Sequence, residues 1–168
     1  MLTSFQSLPK QAGSYALFIA LETVQHVCVG RLGPTVFRPG VYVYLGSAAG
    51  PGGLRARLGR HLRGSDKRHW HIDHLRAVGA VIGFCAVRHQ VLDSISTPVE
   101  CRWSRALAAR PDVKLPLSDF GCSDCKAGCP AHLVALSKDD DFVGQRYRQI
   151  LADSLGISPS LIICQPNR

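Results

Sequence analysis

Three β-prone segments stand near the beginning of this chain, before any helical pattern, and the connections between them are short. The segments cover residues 13–21, 26–32 and 41–45. A parallel crossover needs roughly a dozen residues or more, so these short connections favour antiparallel pairing. The order of strands first and helices later argues against the regular alternation of a doubly wound nucleotide-binding fold.

The helical pattern begins after a glycine-rich stretch at residues 46–53. Leu54, Leu58 and Leu62 recur every four residues, which predicts a helix over 54–63 with one buried stripe. We predict further helices over 70–78, 97–110 and 139–155, and further strands over 80–87, 132–136 and 161–164. The fold expected is therefore α/β (α+β), with a small antiparallel or mixed central sheet flanked by helices.

The length of 168 residues suits a single domain. We expect a polar leader over residues 1–12 and one domain over 13–168, with an irregular cysteine-rich loop at 120–132. The longest apolar run, residues 15–21, is far shorter than the roughly 20 residues that cross a membrane. We therefore expect a cytoplasmic protein with no membrane partner, whose seven cysteines are reduced thiols or metal ligands.

The net charge of +8 is concentrated in one part of the chain. Residues 51–76 contribute five of these eight positive charges and hold four of the seven histidines. A concentrated basic stretch indicates a phosphate-rich partner, although a solvated basic helix has the same composition.

The glycine-rich stretch and the helix after it form a candidate phosphate site. Free backbone N–H groups at the beginning of a helix bind phosphate well. No Lys-Ser or Lys-Thr pair follows the glycines, so ATP or GTP binding is not expected. Arg57 and His61 share one face of the helix beside the leucine stripe, where a fixed guanidinium can bind a phosphate through two parallel hydrogen bonds.

Several of these residues also form an ordered set along the chain. The set is Gly13-Ser14-Tyr15, Tyr44-Leu45-Gly46, Arg57, His61 and Glu100. It resembles the GIY-YIG nuclease superfamily, named for its two tripeptides, and the match is most specific over residues 42–61. The wider pattern is similar to that of a compact bacterial and archaeal subfamily of uncertain function. It includes Trp70–Asp73, Glu100-Cys101 and Phe120–Cys125, and the resemblance covers about residues 13–136.

The resemblance implies a metal-dependent endonuclease that hydrolyses phosphodiester bonds in DNA or structured nucleic acid. Tyr15 and Tyr44 would help to activate water, Arg57 would steady the phosphate, and Glu100 would hold one Mg²⁺ or Mn²⁺. His61 has a counterpart in some members and completes the expected catalytic set. Ser14 stands where the family has Ile, and the long spacer between the tripeptides leaves room for an extra strand. The residues expected to contact nucleic acid are Ser47, Arg55, Arg60, Arg63, Lys67 and Arg68.

Glu100 also has a purely structural interpretation. Thr97 and Glu100 have the spacing of a capping box, with Pro98 at the first helical position. A glutamate three residues after threonine stabilises the beginning of many helices. The two roles compete, because a carboxylate bonded to the cap has less freedom to bind a metal ion.

A second chemical motif lies in the cysteine-rich loop. Cys122, Cys125, Cys129 and His132 place four soft ligands within eleven residues, which suits tetrahedral Zn²⁺. A redox dithiol at Cys122 and Cys125, or plain buried thiols, are alternatives. The histidines at 69, 71 and 74 border basic residues, which favours phosphate contact or packing over another metal site.

Two other functions fit the same residues. One is a non-catalytic nucleic-acid-binding module that keeps the nuclease fold and the basic face. The other is a zinc- or thiol-based regulatory protein built around residues 122–132.

Overall fold

A six-stranded sheet forms the centre of the computed structural model, which describes residues 8–92, 97–136 and 144–166. Its strands are β1 (Gly13–Leu21), β4 (Gly40–Ser47), β5 (Ala80–Arg88), β6 (Val113–Lys114), β7 (Leu133–Leu136) and β8 (Ile163–Pro166). They lie in the order β6-β7-β4-β1-β5-β8, and every neighbouring pair is antiparallel. A separate hairpin consists of β2 (Gln25–Cys28) and β3 (Pro34–Phe37).

Two helices pack on each face of the sheet. Alternate residues of a strand point to opposite faces, so β1 contributes to two apolar cores. Leu17 and Ile19 belong to one core with residues of α1 (Gly53–Arg63) and α2 (His71–Arg76). Ala16 and Phe18 belong to the other, with residues of α3 (Val99–Ala108) and α4 (Gly144–Leu155). The predicted α/β fold with a helix-flanked antiparallel sheet is therefore confirmed.

The extra strand predicted between the tripeptides does not join the main sheet. The chain leaves β1 at Leu21, makes the β2–β3 hairpin, and returns at Gly40, so that β1 and β4 pair directly. The predicted strand over 26–32 is shorter because a 3-10 turn follows it at Gly30–Leu32. Gly30 and Gly33 at its ends both have positive φ angles, which favour glycine.

Several boundaries also differ from the sequence prediction. Pro98 is the N-cap of α3 rather than its first helical residue. The helix predicted from residue 139 is seen from Gly144 onward, and residues 137–143 and the leader residues 1–7 lie outside the described residues. Cys85 of β5 and Cys164 of β8 face each other and form a disulfide, so the expectation of thiols or metal ligands is wrong for this pair. Among the helices described, none is both long and apolar enough to cross a bilayer.

Candidate functional site

A cavity of about 1110 Å³ opens where β1 and β7 begin and β4 ends. Antiparallel pairing brings these three strand termini to the same end of the sheet. Four of the five predicted catalytic residues line the cavity: Tyr15, Tyr44, Arg57 and Glu100. Each of the four comes from a different element, respectively β1, β4, α1 and α3.

The two tyrosines lie side by side in this cavity, with ring centroids 6.3 Å apart. Tyr15 pairs with Gly46 of β4, and a Cβ at Gly46 would lie 2.5 Å from the Tyr15 hydroxyl oxygen. Only glycine at position 46 leaves space for the Tyr15 ring, which gives the last residue of the second tripeptide a steric role. Burial raises the pKa of Tyr15 well above its usual value and raises that of Tyr44 to about 12, although Arg57 lowers both. Both side chains are therefore neutral phenols at neutral pH.

His61 lies behind Tyr15 and does not line the main cavity. Its Nε2 atom is hydrogen-bonded to the Tyr15 hydroxyl at 2.8 Å. Burial, together with repulsion from Arg60 and Arg57, lowers the pKa of His61 to about 3. His61 is therefore a neutral imidazole whose hydrogen bond to a cavity residue is the one to Tyr15.

The side chain of Trp70 supports two arginines of α1. Its ring centroid lies 4.1 Å from the Arg57 Cζ atom and 4.2 Å from that of Arg60. Arg60 also makes two hydrogen bonds to the Asp73 carboxylate, at 2.7 and 2.8 Å, which fixes its guanidinium away from the main cavity. Arg57 is the one of the two that lines the cavity, where it is held by stacking on Trp70.

Glu100 lies in the first turn of α3, and a residue of β1 in the sheet holds its carboxylate. The Ser14 hydroxyl donates to Glu100 Oε2 at 2.9 Å, and Ser14 Oγ is 3.0 Å from His89 Nε2. Among the described residues no side-chain hydrogen bond caps α3, whose N-cap is Pro98, so the capping-box interpretation with Thr97 is wrong. Glu100 is instead a carboxylate that lines the cavity, with Oε2 bonded to Ser14.

Ser14 and His89 are site residues that the sequence did not reveal. They are separated by 75 residues, and Ser14 and Glu100 by 86, so no local spacing connects them. The only signal was the polar Ser14 in place of an apolar residue of the first tripeptide.

The six residues predicted to bind nucleic acid are divided among several places. Ser47 and Arg68 line the main cavity. Arg60 and Arg63, again with Arg68, line a second cavity of about 520 Å³ beyond the end of α1. Lys67 is exposed and lines neither cavity, and the Arg55 Nε donates to the Leu8 carbonyl at 2.7 Å. Arg55 thus holds the chain that precedes β1.

The cysteine-rich loop brings together a cluster that can hold a metal ion such as zinc. The ligand atoms of Cys101, Cys125, Cys129 and His132 all lie within 4.8 Å of one another. The cluster differs from the predicted set in one member, because Cys101 of α3 takes the place expected for Cys122. The side chain of Cys101 reaches the loop from a helix that packs beside it, which a motif read along the loop cannot show.

Comparison with known proteins gives one match. Residues 14–152 match the model of a family described as a domain of unknown function, DUF123. The matched range includes every site residue described above. No curated protein and no solved structure matches the chain.

Proposed function

The chain belongs to the DUF123 family, whose description names no function, and we propose that it is a metal-dependent endonuclease resembling the GIY-YIG nucleases. It would hydrolyse phosphodiester bonds in DNA or structured nucleic acid. The observation that carries this proposal is the convergence of Tyr15, Tyr44, Arg57 and Glu100 on one cavity. Their order along the chain is that of the nuclease superfamily.

Arg57 binds the scissile phosphate in this proposal. Its guanidinium presents a planar set of donors that matches two phosphate oxygens. Stacking on Trp70 restricts the side chain before the substrate arrives, so less conformational entropy is lost on binding. The positive charge of Arg57 then stabilises the negative charge that develops on the phosphate in the transition state.

Tyr15 and His61 move the proton of the attacking water. Tyr15 is a neutral phenol, so its oxygen accepts a proton from water as its own proton passes to His61 Nε2. Burial and the neighbouring arginines disfavour the protonated imidazole, whereas the negative phosphate on Arg57 favours it. Tyr44, in the same cavity, positions the water beside Tyr15.

Glu100 is the residue that would hold the Mg²⁺ or Mn²⁺. Such an ion, when bound, supplies positive charge for the leaving oxygen. Ser14 restricts the carboxylate through Oε2. Because the Ser14 hydroxyl hydrogen is used in that bond, His89 Nε2 donates to Ser14 and fixes its orientation.

Cleavage assays on plasmid, single-stranded and branched DNA, with Mg²⁺, Mn²⁺ or EDTA, test this proposal. We expect cleavage with either metal ion and none in EDTA. Glu100→Gln should lower the rate by about 10²-fold or more, since it removes the charge for the cation. The matched variant Glu22→Gln, which changes an exposed glutamate, should cleave like the wild type.

A pair of tyrosine variants provides a second control. Tyr44→Phe should lose activity, whereas Tyr42→Phe should keep it, because the Tyr42 hydroxyl donates to the Arg38 carbonyl and lines neither cavity. Equal activity of the Tyr44→Phe and Tyr42→Phe proteins would remove Tyr44 from the mechanism. Wild-type protein that binds these DNAs without cutting any of them would instead favour the non-catalytic binding module.

A further inference from the structure

We propose that Cys101, Cys125, Cys129 and His132 bind one Zn²⁺ in a closed tetrahedral site that fastens the cysteine-rich loop to α3. This inference does not rest on the proposed cleavage activity. It assigns the metal, its ligands and a structural role to a cluster whose ligand set does not include Glu100.

The distances from Cys101 to two of its partners are those expected around a single ion. With Zn–S of about 2.3 Å and Zn–N of about 2.0 Å, a regular tetrahedron places two sulfurs about 3.8 Å apart and sulfur and nitrogen about 3.5 Å apart. Cys101 Sγ lies 3.6 Å from Cys125 Sγ and 3.7 Å from His132 Nε2. A disulfide would need about 2.05 Å between the two sulfurs. All four ligand atoms lie within 4.8 Å of one another, so the four side chains face one common space in which a zinc ion would bind.

The donor set selects the kind of metal. Three thiolates and one imidazole are soft or borderline ligands, which bind Zn²⁺ and not the hard Mg²⁺. Four protein ligands complete a tetrahedron and leave no position for a reacting water. The ion is therefore structural, in contrast to the cation that Glu100 would hold with water and phosphate as the other ligands.

Two of the four ligands stand on well-fixed backbone. Cys101 lies in the first turn of α3. His132 accepts a backbone hydrogen bond from Leu45 of β4 at 2.9 Å and donates one to Phe120 at 2.8 Å. The other two ligands, Cys125 and Cys129, lie at either end of an exposed loop tip. The ion would thus connect this tip to both the helix and the sheet.

Contacts already made by α3 bring the loop into range. The Ser104 hydroxyl donates to the Ala131 carbonyl at 2.6 Å, and Arg105 Nη2 donates to the Ala127 carbonyl at 2.6 Å. The site with three thiolates would carry one net negative charge. Arg105, which its bond to the Ala127 carbonyl holds beside the loop, is a neighbouring cation that can balance it.

The zinc ion would also define one wall of the main cavity. The loop residues that line the cavity are Gly121, Ser123, Asp124, Cys125, Lys126, Ala127 and His132. Between Leu115 and His132 the chain forms no helix or strand, so regular backbone hydrogen bonds do not fix this loop. A bound metal ion would fix it instead. Loss of the ion is expected to loosen this wall and the turn of α3 that carries Cys101.

Metal analysis of the purified full-length chain and its serine variants tests the ligand set. The wild type, prepared under reducing conditions without chelator, should contain one zinc ion per chain. Cys101→Ser should lose most of it, whereas the matched variant Cys122→Ser should keep it, although the loop motif alone would assign Cys122 as the ligand. Zinc kept by Cys101→Ser and lost by Cys122→Ser would overturn the assignment.

Alkylation of the wild-type protein keeps the test decisive if Cys101→Ser does not fold. Zinc-bound thiolates react slowly, so Cys101, Cys125 and Cys129 should be protected while Cys122 and the exposed Cys28 are modified. A strong zinc chelator should make the three protected residues reactive and lower the melting temperature. Wild-type protein that is free of zinc, and as stable with chelator as without it, would overturn the proposal, whatever its cleavage activity.

Discussion

The His61 side chain is buried among charged groups of both signs. Only 2 % of the residue is exposed, and the imidazole contacts Tyr15 and Tyr44 from the sheet. Burial is the main cause that lowers its pKa to about 3, and the charged groups that face it act in both directions. Those groups are Arg57 and Arg60 of α1 and Arg76 of α2, which lower the pKa, and Asp73 of α2, which raises it. His61 is thus neutral in the folded protein at every pH near neutrality.

This lowered pKa predicts a loss of stability in mild acid. Below about pH 6.5 the unfolded chain binds a proton at His61 and the folded chain does not, so stability falls as the pH decreases toward 3. From pH 8 to pH 5 the contribution of His61 to the unfolding free energy should fall by about 2 kcal/mol. Urea unfolding at pH 5, 6.5 and 8 measures this change. Over the same pH range the unfolding free energy of His61→Gln should change by about that much less than the wild-type value. An identical pH dependence in the two proteins would contradict the assigned pKa.

At the scale of elements, one carboxylate connects α1 to the beginning of α2. Asp73 Oδ2 accepts the backbone N–H groups of His69 and Trp70, both at 2.9 Å, in addition to the bidentate pair with Arg60. Burial alone would raise the pKa of Asp73, but these hydrogen bonds lower it. The arrangement holds Trp70, and through it Arg57, at the cavity.

Removal of this charge should release the beginning of α2. Asp73→Asn keeps the shape but not the negative charge, and we expect the unfolding free energy to fall by about 2 kcal/mol, the order for hydrogen bonds to charged groups. Asp66→Asn, in the exposed segment between the two helices, should change it by less than about 0.5 kcal/mol. Chemical denaturation of the three proteins measures the difference. Equal losses in the two variants would show that net charge, not this contact, decides stability.

The elements that the sequence predicted well are those whose pattern reflects burial directly. β1 and α1 have the predicted bounds within one residue, because the apolar residues of β1 and the leucines of α1 are the ones that the cores bury. The β2–β3 hairpin was not predicted as a separate sheet, because local patterns do not specify which strands pair. For the same reason the sequence did not show that Cys101 joins the metal cluster or that Ser14 contacts Glu100. Their partners are distant in sequence and become neighbours only when α3 packs on the sheet.

At the scale of the whole molecule, basic residues line both cavities, and one of them is shared. The basic residues of 51–76 lie on α1, on α2 and in the segment between them, and Arg68 lines both cavities. A phosphate chain that occupies the main cavity can therefore continue past Arg68 toward the second. If the proposed function holds, the net charge of +8 adds long-range attraction for nucleic acid, which salt screens.

This path predicts a distinct salt dependence for binding. Without added Mg²⁺ or Mn²⁺, where no cleavage is expected, the affinity for duplex DNA should fall as KCl increases, with a slope set by the number of phosphates contacted. Arg68→Ala should reduce the magnitude of that slope by about 1, the value for one lost phosphate contact. Lys114→Ala is the matched control, because Lys114 is an exposed cation on β6 that lines neither cavity. If the two variants bind with the same slope, the attraction comes from net charge alone. Such a result would contradict the path between the two cavities. If nucleic acid follows that path, Arg68→Ala must change the salt slope more than Lys114→Ala does.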